Sequence, residues 1–188
     1  TGTLTKGLFE VNDLLLTDHD GDPSIDPLQF AASLESKSSH PLSAAIITEF
    51  RGCIANSFFD DNLLPAQRIE NVVGVGMSGW IAIDKNESDW LYCAVGNERI
   101  LTSTINGVKC NSTAKALKQY EEFLAKHSKS GASILICSID DKLRLLLARS
   151  DTLRDEAAIM VNVLEKKVGI TVTMLTGDHH GIAYHVAD

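Results

Sequence analysis

The four cysteines of this 188-residue chain, Cys53, Cys93, Cys110 and Cys137, form no Cys-x-x-Cys pair. That spacing argues against a zinc knuckle or a sequence-local redox pair and leaves reduced, mostly buried thiols as the expectation. No apolar run is long enough to span a bilayer, so any membrane part is expected elsewhere. Basic charge is also short: 17 Lys and Arg stand against 25 Asp and Glu, for a net charge of -8, which disfavours a nucleic-acid surface. An anionic ligand would need a local site. No charged-then-apolar signal is read at the start, so a cytosolic setting is expected, and no repeat or low-complexity tract is visible. The sequons at Asn86 and Asn111 would then be incidental. What is present is ordinary for a folded domain, with 44% hydrophobic and 22% charged residues.

Periodicity predicts a strand over residues 9–16, ended by the turn formers Asp18-His19-Asp20-Gly21-Asp22-Pro23. Two helices are expected next. The first covers 27–35 with Leu28, Ala31, Ala32 and Glu35 on one face, and the second starts at Pro41 with Leu42, Ala45, Ile46 and Glu49. Residues 54–65 read as a polar loop, a place for mobility. Strands are expected over 68–73, 77–83 and 90–95, then helices over 98–105 and 112–127, the latter with an apolar stripe of Ala116, Tyr120, Phe123 and Leu124. Strands over 133–139 and 143–149 flank the hairpin-length Asp140-Asp141-Lys142. The pattern then turns to helix (153–168), strand (169–175) and helix start (181 onward), which is α/β crossover grammar. The expected boundary lies at 149–151.

Two Thr-Gly motifs bracket this organisation, Thr1-Gly2-Thr3-Leu4-Thr5 and Met174-Leu175-Thr176-Gly177-Asp178. Small residues at a strand end let backbone amides and hydroxyls reach an anion, so both suit phosphate chemistry. Between them, His40 precedes a helix five residues after Glu35, and a helix joint can bring such a carboxylate and imidazole together to read an aromatic base. By itself a His-Pro is a solvated helix terminus. Gly74-Val75-Gly76 enters a strand and leaves room for a close backbone approach, although a lone Gly-x-Gly is more often a tight turn. Asn97, where a strand gives way to a helix, offers a donor and an acceptor, and alone would read as an N-cap.

Taken in order, these motifs resemble those of heavy-metal-transporting P-type ATPases. The stretch Leu34-Glu35-Ser36-Lys37-Ser38-Ser39-His40-Pro41 carries most of the specificity, with Ser39 standing where the family usually has a second Glu. Its wording looks nearer the zinc/cadmium branch than the copper branch. The resemblance implies an α+β nucleotide-binding domain, an antiparallel sheet with flanking helices, over 7–149. It also implies pieces of an incomplete Rossmann-like, haloacid-dehalogenase-like phosphorylation domain over 1–6 and 150–188.

The implied roles are ATP binding by Glu35 near the adenine amino group, His40 orienting the base, Gly74 and Gly76 giving backbone room, and Asn97 meeting the ribose or phosphate side. Thr1 would serve Mg²⁺ and phosphate, Thr176 the transferred phosphoryl group, and Asp178, Asp151 and Arg154 the hinge. His179 and His180 replace the Asn that commonly follows Thr-Gly-Asp, and with His185 they lack the partners of a metal site. The implied partners are ATP or ADP and the phosphorylation, actuator and membrane domains of a parent at the cytosolic face of a membrane. That parent moves a heavy-metal ion through helices outside this chain. A soluble phosphatase of the haloacid-dehalogenase type, or a non-enzymatic docking module for a protein such as a metallochaperone, are the other readings.

The family's nucleophilic aspartate precedes Thr-Gly-Thr by an Asp-Lys step and is expected outside the chain, as is the segment that completes the Mg²⁺ site. The expected outcome is nucleotide binding without turnover, with the phosphorylation-domain remnant partial, mobile or paired with another molecule. Incubating the 188-residue chain with labelled ATP and Mg²⁺ should therefore yield no acid-stable phosphoprotein, and stable labelling would place a nucleophile within these residues.

Overall fold

A computed structural model describes residues 3–17, 25–54, 59–128 and 131–175, together with positions 183 and 186. Its centre is a six-stranded, wholly antiparallel sheet in the order β1-β8-β7-β4-β3-β2. The strands are β1 (Thr5–Leu16), β2 (Ala66–Val72), β3 (Gly76–Ala82), β4 (Trp90–Gly96), β7 (Ser133–Ile139) and β8 (Lys142–Leu153). A two-stranded hairpin, β5 (Thr104–Ile105) and β6 (Val108–Lys109), stands apart from it.

Alternation along the strands builds two cores, one on each face. Cys93 and Val95 of β4, Leu135, Cys137 and Ile139 of β7, and Leu145 and Leu147 of β8 join the core beneath α1 (Pro27–Glu35) and α2 (Pro41–Cys53). Tyr92, Ala94, Ile136, Leu146 and Ala148 point the other way, towards α4 (Arg99–Thr102), α5 (Ala114–His127) and the small hairpin. A bulge between Cys137 and Ser138 in the β7–β8 ladder lets Leu143 join the second core although Leu145 and Leu147 belong to the first.

Helix α1 is the pivot of the first core. Asp26 caps it by accepting from the Leu28 N–H at 2.9 Å, and Pro27 occupies its first turn. Phe30, Ala31, Ala32, Ser33, Leu34 and Glu35 are all buried, so the helix is enclosed on every side instead of lying half out of water. The Ser33 hydroxyl donates to the Gln29 carbonyl and accepts the Leu64 N–H, and Gln29 Nε2 donates to the Asn62 carbonyl. These bonds tie the short helix α3 (Phe59–Asn62) to α1, within the stretch expected to be a polar loop. On the other face, Asp13 of β1 accepts from Lys126 Nζ at 2.6 Å and contacts His127 Nε2 at 2.8 Å. The C-terminal end of α5 is thereby held to the sheet edge.

Three elements depart from the sequence-based expectation. The helix over 98–105 shrinks to α4, because Asn106 and Gly107 adopt positive φ (49° and 81°) and make the tight turn of the β5–β6 hairpin. The helix over 153–168 begins later: β8 runs on to Leu153, α6 spans Ala157–Asn162, and a wider π-helical turn covers Val163–Val168 before Gly169 closes it at φ 74°. Residues 169–175 are not a strand. A parallel strand buried on both faces needs neighbours on both sides, and among the described residues nothing pairs with this segment. Its side chains are correspondingly open, Ile170 at 51% and Leu175 at 98% exposure. The Rossmann-like piece expected over 150–188 is thus not seen in the described residues, whereas the antiparallel sheet with flanking helices is. The apolar stripe of α5 holds at Ala116 and Phe123, while Leu124 is exposed.

Candidate functional site

The expected base-reading residues lie at the joint between α1 and α2. Glu35 ends α1, the chain turns through Ser36–Ser38, and His40 immediately precedes Pro41. The His40 N–H is anchored by Ser38 Oγ at 3.1 Å, and the His40 carbonyl accepts the Ser43 N–H at 3.0 Å, which starts the first turn of α2. Ser43, which sequence reasoning passed over, also donates its hydroxyl to Glu35 Oε2. It is the link that makes Glu35 and His40 one unit. Its only signal was its place three residues after His40, where an N-terminal turn closes.

The two expected residues differ in access. His40 is exposed, but Glu35 is buried at 6%. Burial pushes the Glu35 carboxyl above the usual carboxylate range, and the Ser43 hydroxyl and the Arg149 charge pull it back down.

The second group sits at the β2–β3 turn. Gly74 takes φ 72°, and its carbonyl accepts from Asn97 Nδ2 at 2.9 Å. Asn97 Oδ1 accepts the Arg99 N–H at 3.0 Å in a turn that leads into α4, while the Arg99 guanidinium lies beside Gly74, 3.4 Å from its carbonyl. Gly76 faces Gly96 across the β3–β4 ladder. A Cβ on Gly76 would sit 2.0 Å from the Val95 carbonyl oxygen, and one on Gly96 would sit 2.1 Å from that of Val75. The two backbones therefore touch, and the Asn97 N–H reaches the Val75 carbonyl at 2.9 Å. Backbone room at Gly76 is used by the protein's own chain. Sequence reading also missed Arg99; an Asn two residues before a cation at a helix start was the available sign.

Asp151 accepts the Gly7 N–H at 2.9 Å, where a bulge at Gly7 (φ 72°) breaks the β1–β8 ladder. The Arg154 N–H bonds the Leu4 carbonyl at 2.9 Å, and Lys6 pairs with Asp155 at 3.3 Å. Both expected hinge residues thus sit where β1 and β8 run side by side, and β8 passes unbroken through 149–151. Thr1, Thr176, Asp178, His179, His180 and His185 lie outside the described residues. A cleft of about 540 Å³ opens elsewhere, lined by Lys109, Cys110, Asn111, Ser112 and Asp141 among others, and contains none of the expected nucleotide residues. Among the described residues no group of three or more His, Cys, Asp or Glu could hold a metal ion.

No family model matches the chain. Over its full length it aligns at 30% identity with the copper-exporting P-type ATPase B of Archaeoglobus fulgidus and with the zinc-exporting P-type ATPase of Mycobacterium marinum. Its homologues are heavy-metal P-type ATPases. The manganese-exporting P-type ATPase of Mycobacterium tuberculosis matches at the same 30%, so likeness to heavy-metal P-type ATPases does not separate the transported ions. The chain spans 23% of each of these relatives, and is therefore a part-length counterpart of them. Among solved structures, a zinc-transporting PIB-type ATPase in an E2.Pi state superposes with a TM-score of 0.60 at 22% identity, over all of this chain and 26% of that one. The catalytic CPx-ATPase domain CopB-B gives 0.60 at 20% identity, over all of this chain and 53% of that one. At these identities the structures speak for the fold. No helix among the described residues is long and apolar enough to cross a membrane.

Two outcomes follow from the geometry. Gly76→Ala should cost more than about 3 kcal/mol in urea unfolding, because backbone carbonyls cannot yield to the new methyl; Gly74→Ala should cost about 1–2 kcal/mol, the strain of a left-handed residue beside a flexible Arg99. Glu35 binds its proton more tightly folded than unfolded, so its contribution is most favourable at acid pH and declines as pH rises above the ordinary Glu value of 4.5. Glu35→Gln should accordingly raise the urea midpoint at pH 7 and change it little at pH 4.5. A lowered midpoint at pH 7 would show the ionised carboxylate to be stabilising.

Proposed function

We propose that this chain is the ATP-binding part of a heavy-metal P-type ATPase and presents ATP to an aspartate of the parent's phosphorylation domain. The observation that carries the reading is the full-length 30% match to metal-exporting ATPases; the Glu35, His40, Gly74, Gly76 and Asn97 motifs, in the order read from the sequence, support it. The exposed His40 ring offers a stacking and hydrogen-bonding surface to adenine. Glu35, buried and held by Ser43, braces the start of α2, and its carboxyl would meet the adenine amino group only when the joint opens. The Gly74 turn has no side chain to obstruct a ribose, and Arg99 beside it supplies positive charge in a protein of net charge -8.

This chain's residues bind and orient the nucleotide; holding the γ-phosphate near its acceptor is the part of catalysis that positioning supplies. Mg²⁺, expected to be served in part by Thr1, would neutralise phosphate charge when bound. In this reading residues 7–149 form the nucleotide-binding unit, and 1–6 and 150–188, joined through Asp151 and Arg154, belong to the phosphorylation domain with Thr176 and Asp178. The parent sits in a membrane with this part on the cytosolic side.

Calorimetric titration with ATP, ADP and GTP tests the proposal. Adenine nucleotides should bind, and His40→Ala should weaken ATP at least about tenfold, ~1.4 kcal/mol, without loss of fold. Asn97→Asp keeps the acceptor for the Arg99 N–H but loses the donor to the Gly74 carbonyl, and should weaken ATP by a smaller factor. Folded wild-type protein that binds no adenine nucleotide, or binding unchanged by both substitutions, would overturn the assignment.

A further inference from the structure

Cys93 of β4 and Cys137 of β7 meet in the middle of the sheet with their sulfurs 3.8 Å apart, at 0% and 1% exposure. The register is decisive for what such a pair can do. Cys93 stands opposite Ile139 and Cys137 opposite Val95, so the two cysteines are diagonal neighbours. Diagonal Cα atoms lie about 7–8 Å apart, at or beyond the reach of a disulfide, which favours about 5.5–6 Å. Closing a disulfide would draw the sulfurs together by well over 1 Å. A single metal ion held linearly between two thiolates, at bonds of about 2.3 Å, needs a span of about 4.6 Å. The side chains would spread by less than 1 Å.

We propose that Cys93 and Cys137 form a buried two-thiolate site for a thiophilic divalent ion of the mercuric type. Two thiols lose their protons to solvent as two metal–sulfur bonds form, and the dication and two thiolates leave no net charge. That balance suits the dry interior, where a residual charge would be costly. A monovalent ion would leave the site negative, close to Glu35, whose charge already opposes ionisation of Cys93. Their mutual hydrogen bond and their burial hold the Cys93 thiol well above its ordinary value. With both sulfurs buried and facing each other, only an ion with a strong preference for sulfur takes the place of the two thiol protons. No third His, Cys, Asp or Glu completes a set among the described residues, which disfavours tetrahedral zinc. β4 and β7 are the two central strands of the six-stranded sheet, so the ion enters through local opening. The site does not depend on the nucleotide reading.

The test uses the full chain with Cys53→Ser and Cys110→Ser, which removes the exposed and half-buried thiols. The protein is refolded with one equivalent of Hg²⁺ and washed with excess 2-mercaptoethanol, which strips singly held mercury. One mercury per chain should remain, with thiolate-to-metal charge-transfer absorption, and Cys93→Ala or Cys137→Ala should each lower retention at least tenfold. Valine at either position serves where alanine fails to fold, as judged by circular dichroism. Absence of retained mercury in the folded parent, equal retention in the single-cysteine variants, or recovery of an intramolecular disulfide would each overturn the proposal.

Discussion

The contact on which the candidate site most depends is the approach of two backbones at Gly76 and Gly96. With a side chain at either position a Cβ would fall about 2 Å from the opposite carbonyl oxygen, so the ends of β3 and β4 close only because both residues are glycine. That closure brings the Asn97 N–H to the Val75 carbonyl, and from there the Asn97 side chain reaches back to Gly74 and forward to the first turn of α4. One amide thus fixes a turn, a strand end and a helix start. If this turn receives a ligand as proposed, these contacts hold it in place beforehand, which lowers the ordering cost of binding.

The Glu35–Ser43–His40 joint solves a different problem. An acidic side chain at the end of a fully enclosed helix would be costly without a partner, and the Ser43 hydroxyl provides one. The same bond fixes where α2 begins and hence where His40 stands. On the proposed reading, binding chemistry at His40 would therefore be coupled to a buried polar contact, and the base-reading surface would be only as well defined as that contact.

Much of this was legible in the chain. The helices from Pro27 and Pro41 have strong local signals, and the near-continuous apolar runs of β4, β7 and β8 fit strands covered on both faces. The His-Pro and Gly-x-Gly motifs fall at a helix joint and a strand turn, as read, but sequence cannot say which way a side chain faces. Glu35 turned inward, Asn97 spent its amide on its own loop, and Gly76 met a glycine twenty residues away. The β5–β6 hairpin was missed although Asn106-Gly107 is a strong turn signal, because the apolar residues before it also fit a helical period. Residues 169–175 were read as a strand from composition, yet strand formation is settled by partners, not by propensity.

The same limit explains the dithiol. Cys93 and Cys137 are 44 residues apart, and no spacing rule links them; the pairing of β4 with β7 and the outward-inward alternation of each strand bring both to the α1 face. Had the register been direct, with Cys93 opposite Cys137, a disulfide would have been the natural product of the pair. A two-residue offset leaves the sulfurs adjacent and the backbones too far apart to follow them. Register, which sequence does not print, therefore decides between a covalent staple and a site that only a bridging ion can close.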